Sequence, residues 1–146
     1  MAPTQAICTS FKQELLTGGH NFTTGQHVFK IALVTSSSTI SGSTANYSAI
    51  DSQVAGTGGY TTGGATLTNV TPTTSSTTAL TDFAPDPTWA ASTITARGAL
   101  IYNTSSSPAN KSVLVLDFGS DKSSSAGDFT VVFPAADASN AIIRIT

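Results

Sequence analysis

The chain has one cysteine, Cys8, one tryptophan and one methionine among its 146 residues. A single thiol excludes an internal disulfide framework, so stability has to come from burial or from assembly. Charge is scarce as well. Lys and Arg number 6 and Asp and Glu 8, giving 10% charged residues and a net charge of -2, where a soluble domain usually carries about 25%. So few cations cannot neutralise a run of phosphates, and nucleic-acid binding is disfavoured. The longest apolar runs are strand-sized, and no charged segment leads into an apolar stretch near Met1. Neither a membrane-spanning helix nor a secretory signal is expected. On that expectation the Asn-x-Ser/Thr triplets at Asn21, Asn46, Asn69, Asn103 and Asn110 read as chance matches in a chain of which roughly a third is Ser or Thr.

What the chain does have is alternation. Lys111 to Phe118, Asp128 to Pro134 and Asn140 to Thr146 are rich in β-branched and aromatic residues and are bounded by Gly, Ser, Asp or Pro, which is strand patterning. His27 to Thr35 forms another strand, with Phe29, Ile31 and Leu33 on one face. Ala65 to Val70 and Thr77 to Phe83 read as two strands joined by a turn at Pro72. Ser92 to Asn103 reads as a long strand in which Gly98 marks a bulge or a close backbone approach. The expected fold is all-β, an antiparallel sandwich or barrel of about seven strands with one short N-terminal helix. One domain over 1–146 is expected, with residues 1–20 helical and 27–146 forming the sandwich. Phe29, Ile31, Leu33, Leu114, Leu116, Val132 and Ile143 are its expected shared core.

Between Thr4 and Leu16 the apolar residues Ile7, Phe11 and Leu15 recur at spacing four, which predicts an amphipathic helix capped by Thr4 and ended by Gly18 and Gly19. This helix is either a plug over the sheet or an arm that docks on a neighbour. Asn46 to Val54 has room for a turn of helix. Gly56 to Gly64 is the most flexible stretch, a surface excursion that offers Tyr60 as a contact residue. Ile7, Phe11, Leu15 and Tyr60 are therefore the candidate partner contacts.

Reactive constellations are thin. The glycine-rich loop lacks the Gly-Lys-Ser/Thr ending of a phosphate cradle. Cys8, His20 and His27 are the only thiol and imidazoles and stand in no zinc spacing, so capping and surface exposure account for them. Asp117, Asp121 and Asp128 crowd one hairpin, where turn carboxylates bonding their own backbone explain them better than a cation does. Asp86 and Asp117 are the one pair of carboxylates open to a hydrolase reading. No catalytic residue, cofactor or metal is assigned, and the expectation is of a protein that is not an enzyme.

Six segments, Ile7 to Leu16, Phe29 to Leu33, Val54 to Gly64, Thr95 to Asn103, Val115 to Gly119 and Ala141 to Ile145, together resemble a family of small virion structural proteins of tailed bacteriophages. The likeness runs in order over nearly the whole chain, and the family has no catalytic residues to carry over. It implies a virion location, on the capsid surface as a decoration (cement) protein or in the tail, after assembly in the host cytoplasm. It also implies the major capsid protein or tail proteins as partners, with copies forming a homo-oligomer. A tail or fibre component touching the host through the Tyr60 loop is the alternative. A carbohydrate-binding module using Trp89, Tyr60 and Tyr102 is a second.

Overall fold

The computed structural model describes residues Met1 to Thr146. It is all-β with one short helix, 41% strand and 8% helix. Ten strands follow in chain order: β1 Ala6–Ile7, β2 Phe29–Val34, β3 Ala65–Leu67, β4 Asn69–Ser75, β5 Thr78–Phe83, β6 Thr88–Ser92, β7 Thr95–Asn103, β8 Lys111–Ser123, β9 Gly127–Thr130 and β10 Ile143–Ile145. Helix α1 spans Thr9–Leu16, and a single 3-10 turn covers Tyr47–Ala49, inside the stretch expected to hold one. Strands β1, β3 and β10 are two or three residues long; the expected Ala65 to Val70 strand is divided between β3 and β4, the expected Asn140 to Thr146 strand shrinks to β10, and β6 lies where no strand was expected. No helix is long and apolar enough to cross a membrane.

All pairings are antiparallel. The largest sheet runs β1-β8-β7-β2-β3, a second β10-β5-β4, and a third β6-β9. The centre of the large sheet is apolar on both faces: Ile31, Ala32, Leu33 and Val34 of β2 and Ala99, Leu100 and Ile101 of β7 are all fully buried. A strand in that position reads as a continuous hydrophobic run rather than as strict alternation. Phe22, Phe29 and Phe83 pack together where the first two sheets meet, the rings of Phe22 and Phe29 stacking 4.4 Å apart and 12° from parallel while Phe83 tilts against both. Twenty-five buried residues form one connected core.

Gly98 behaves as the sequence predicts. The β7–β8 register shifts between Ala96 and Gly98, and a Cβ there would run into the Leu116 carbonyl oxygen and stand 2.7 Å from Pro3 Cγ. Opposite it, the β8 stretch Phe118 to Asp121 bulges out against Arg97 alone. Gly119 turns the bulge at φ +79°.

Other expectations need correction as well. The helix starts at Thr9, not Thr4. Cys8 is its N-cap and makes no side-chain cap bond, while Ile7 lies in β1, paired with Leu114 of β8. Sheet pairing thus claims the residues that the four-residue spacing gave to the helix. Pro72 does not turn the chain but lies within β4, between Val70 and Thr73 where the register with β5 shifts. It is tolerated because β4 is an edge strand and a proline at a bulge removes no ladder bond; Ser76, at φ 54°, makes the turn instead. Val132 is 76% exposed, since Phe129, Val131 and Phe133 take the core side and leave it out of phase. Leu116 is only half-buried. The other five expected core residues are buried.

Candidate functional site

A concavity of about 900 Å3 lies between β1 and β8 on one side and β9 with the 131–134 and 140–144 segments on the other. Its origin is topological. Strand β8 is 13 residues long, but its outer neighbour β1 is paired only at Leu114 and Val115. Beyond that, the side-chain carbonyl of Gln5 accepts the Asp117 N–H at 3.3 Å, standing in for the backbone carbonyl that a longer β1 would provide. No strand lies outside β8 after that point. Ile7, Leu116, Phe118, Val132 and Ile142 supply apolar lining, and Asp117, Lys122, Asp128 and Arg144 supply charge.

Asp117 is held on the Arg97 side of this groove. Arg97 Nε donates to Asp117 Oδ1 at 2.7 Å, and the Gly119 N–H donates to the same oxygen at 2.9 Å. Both hold its carboxyl below the usual carboxylate range. Asp128 accepts the Ala91 N–H at 3.3 Å, and Asp121 is exposed. Each thus has a separate setting, and no group of three or more His, Cys, Asp or Glu is placed to hold a metal ion. Asp86 accepts the Phe133 N–H at 2.9 Å and has Asp82, rather than Asp117, as its charged neighbour.

A second polar cluster lies under α1. His20 Nε2 stands 2.7 Å from Glu14 Oε2, and Lys111 Nζ is 3.4 Å from Glu14 Oε1. Asn103 Nδ2 is 2.9 Å from His20 Nδ1 and 2.9 Å from His27 Nδ1. Phe11 packs edge-on against the His20 ring at 4.7 Å. Burial pushes the His20 pKa down, with Glu14 pulling the other way. Cys8, fully buried at the start of α1, is pushed up to about 11 by burial and by the Glu14 charge, which leaves its thiol protonated and unreactive at neutral pH. His20 and Cys8 are therefore interior groups, not the surface residues the sequence reading made of them.

Of the predicted contacts, Ile7 is half-buried and lines the groove. Leu15, also half-buried, lines a smaller apolar depression of about 240 Å3 with Leu80 and Ile143. Phe11 and Tyr60 are 1% and 2% exposed, so neither can touch a partner. Phe11 points into the core because the helix rests on that face. Tyr60 turns inward because its hydroxyl has buried partners: it accepts the Leu33 N–H at 3.0 Å and a Gln53 Nε2 hydrogen at 2.8 Å. The glycine-rich loop is correspondingly pinned, with Tyr102 Oη donating to the Gly63 carbonyl at 2.8 Å. Trp89 and Tyr102 are buried too, which removes the aromatic platform of the carbohydrate reading.

Sequence reasoning missed Val132 as a surface residue and Asn103 as a hub. An Asn closing the apolar run Ala-Leu-Ile-Tyr, at the buried end of a strand, was the available signal for the second. Comparison with family models, with curated proteins and with solved structures finds no match to this chain.

Proposed function

We propose that the protein is a structural component of a phage virion, a capsid decoration protein that binds the outer shell and stabilises it through many modest contacts. The observation that carries this reading is the groove, part apolar and part charged, along the stretch of β8 that no strand covers. A strand edge capped only by the Gln5 and Asp117 side chains, beside the apolar part of the lining, suits an extended peptide segment that displaces those caps, whose backbone would continue the sheet and whose alternate side chains would enter the groove. The occupant we assign is such a segment of the major capsid protein, with copies of the chain bridging adjacent shell subunits. The interior chemistry fits a role without catalysis. Both His20 ring nitrogens are engaged within the fold, leaving neither to serve a nucleophile.

The test is co-sedimentation of the purified chain with capsids that lack it, beside Val132→Asp. That position is open to solvent, so the substitution leaves the fold alone while placing a charge in the groove. Wild type is expected to pellet at hundreds of copies per particle, and Val132→Asp to lose at least about tenfold in occupancy. Equal binding by the variant removes the groove from the reading. Virions that lack the protein yet keep salt-resistant heads, while failing to adsorb to cells, replace decoration with the tail alternative.

A further inference from the structure

The cluster under α1 has a property that follows from counting its hydrogens. Asn103 Oδ1 accepts the Ser105 N–H at 2.9 Å, which fixes the amide so that its nitrogen faces both imidazoles. An amide nitrogen only donates. Each of its hydrogens goes to one ring, to His20 Nδ1 and His27 Nδ1, and His27 Nδ1 also receives the Asn21 N–H at 3.3 Å. Both Nδ1 atoms must then be unprotonated. The single proton of His20 sits on Nε2, where it is donated to Glu14.

We propose that Glu14, His20 and Asn103 form a proton-operated latch that holds helix α1 against the end of β7 and opens when His20 takes a second proton. That proton would stand on Nδ1, N–H against N–H. Rotating the Asn103 amide gives no relief, because Oδ1 would leave the Ser105 N–H and Nδ2 would face it instead. No arrangement of these groups satisfies every donor, and an unmet buried donor is costly. The charged and titratable groups around the ring come from every side. Glu14 on α1 favours the cation, but it is shared with Lys111 of β8, which with His27 opposes it. Cys8, at the start of the helix, is neutral. Phe11, Phe22 and Phe29 complete the ring's surroundings, and the side chain is closed to water.

The sign follows. A histidine whose folded pKa lies below its unfolded value binds fewer protons folded than unfolded in the window beneath about pH 6.5. The stabilisation is complete above that pH and is lost as pH falls through the window.

Cys8, the only thiol, caps α1 and reports on its release. The full-length chain is treated with a pyridyl disulfide, which reacts with thiols in acid as well as at neutral pH, at about pH 7.5 and about pH 5, on either side of the free imidazole value. Rates are normalised to the urea-unfolded chain at each pH. Cys8 is expected to be protected at the higher pH and labelled at least about tenfold faster at the lower, with the β2 and β7 amides still protected from hydrogen exchange. His20→Gln keeps one donor and one acceptor but no titration, so its labelling should be flat with pH. Asn103→Asp offers an acceptor to the His20 Nδ1–H and should reverse the dependence. Equal protection of wild type at both pH values overturns the latch, as does loss of the β2 and β7 amides together with Cys8. Acid acceleration that persists in His20→Gln, or unchanged in Asn103→Asp should the glutamine variant not fold, overturns it as well.

Discussion

Removing one oxygen from the core tests how β2 is completed. Strand β3 covers β2 only from Phe29 to Ile31, so the Leu33 N–H beyond it has no strand to bond, and the Tyr60 hydroxyl accepts it instead. Tyr60→Phe keeps the ring and its packing on Trp89, 5.9 Å away, but leaves that buried donor without a partner. Gln53, half-exposed, recovers its bond from water. An unsatisfied buried N–H costs about 1–3 kcal/mol, so a loss of about 2 kcal/mol is expected, equivalent to a fall in Tm of roughly 4–8 °C for a chain of this size. Urea unfolding followed by circular dichroism measures it, and the slope with denaturant should not change. Alkali provides a second reading. Burial raises the Tyr60 pKa, so the folded chain retains a proton that the unfolded chain releases above about pH 10. That contribution is present below pH 10 and lost as pH rises toward the folded value, so the gap between wild type and Tyr60→Phe should narrow there. A destabilisation below about 0.5 kcal/mol, or an unchanged gap in alkali, would refute the argument that the hydroxyl replaces a strand.

Two further pairs of substitutions separate causes that the fold mixes. Leu100→Ala, in the fully buried centre of β7, should cost about 2–5 kcal/mol, whereas half-buried Leu116→Ala should cost less than half as much; equal losses in urea melts would mean the groove is closed in solution. Gly18 and Gly64 both have positive φ, +72° and +78°, but a Cβ at Gly18 meets open space, while at Gly64 it would overlap the Ile31 carbonyl. Gly18→Ala should therefore cost about 1–2 kcal/mol from conformation alone, and Gly64→Ala more than about 3 kcal/mol, as a clash with fixed backbone adds to it. Thermal melts of the two variants give the comparison.

Where one physical rule acted alone, the sequence was readable. The alternation of Phe29, Ile31 and Leu33 and the glycine at position 98 led directly to β2 and to the close approach of β7 to β8. Where two rules competed, it was not. Ile7 fits a helical stripe as well as a strand, and only pairing with Leu114, far along the chain, decides between them. Val131, Val132 and Phe133 are apolar in succession, so alternation has no phase there until the neighbouring sheet selects Val131 and Phe133. The cluster under α1 was illegible for another reason. Glu14, His20, His27, Asn103 and Lys111 are spread over three elements and a loop, and no local spacing joins them. Tyr60 looked like a contact because its loop is rich in glycine, yet the bond that draws it inward goes to a backbone group no side-chain pattern records.

The order of strands in the large sheet also sets a timetable for synthesis. Strand β2 borders β7, with Phe29 opposite Asn103 and Val34 opposite Gly98, so roughly seventy residues must leave the ribosome after β2 before its main partner exists. At ordinary elongation rates that is an interval of several seconds. Throughout it, Phe-Lys-Ile-Ala-Leu-Val is an apolar segment with unpaired backbone, the kind of stretch that chaperones hold and that neighbouring nascent chains join. The strand β2 gains first, β3, covers only three of its residues. Production of this protein at high level should therefore be limited by what happens to β2 while β7 is still being made, and slower translation downstream of Val34 should lengthen that exposure instead of helping the chain to fold.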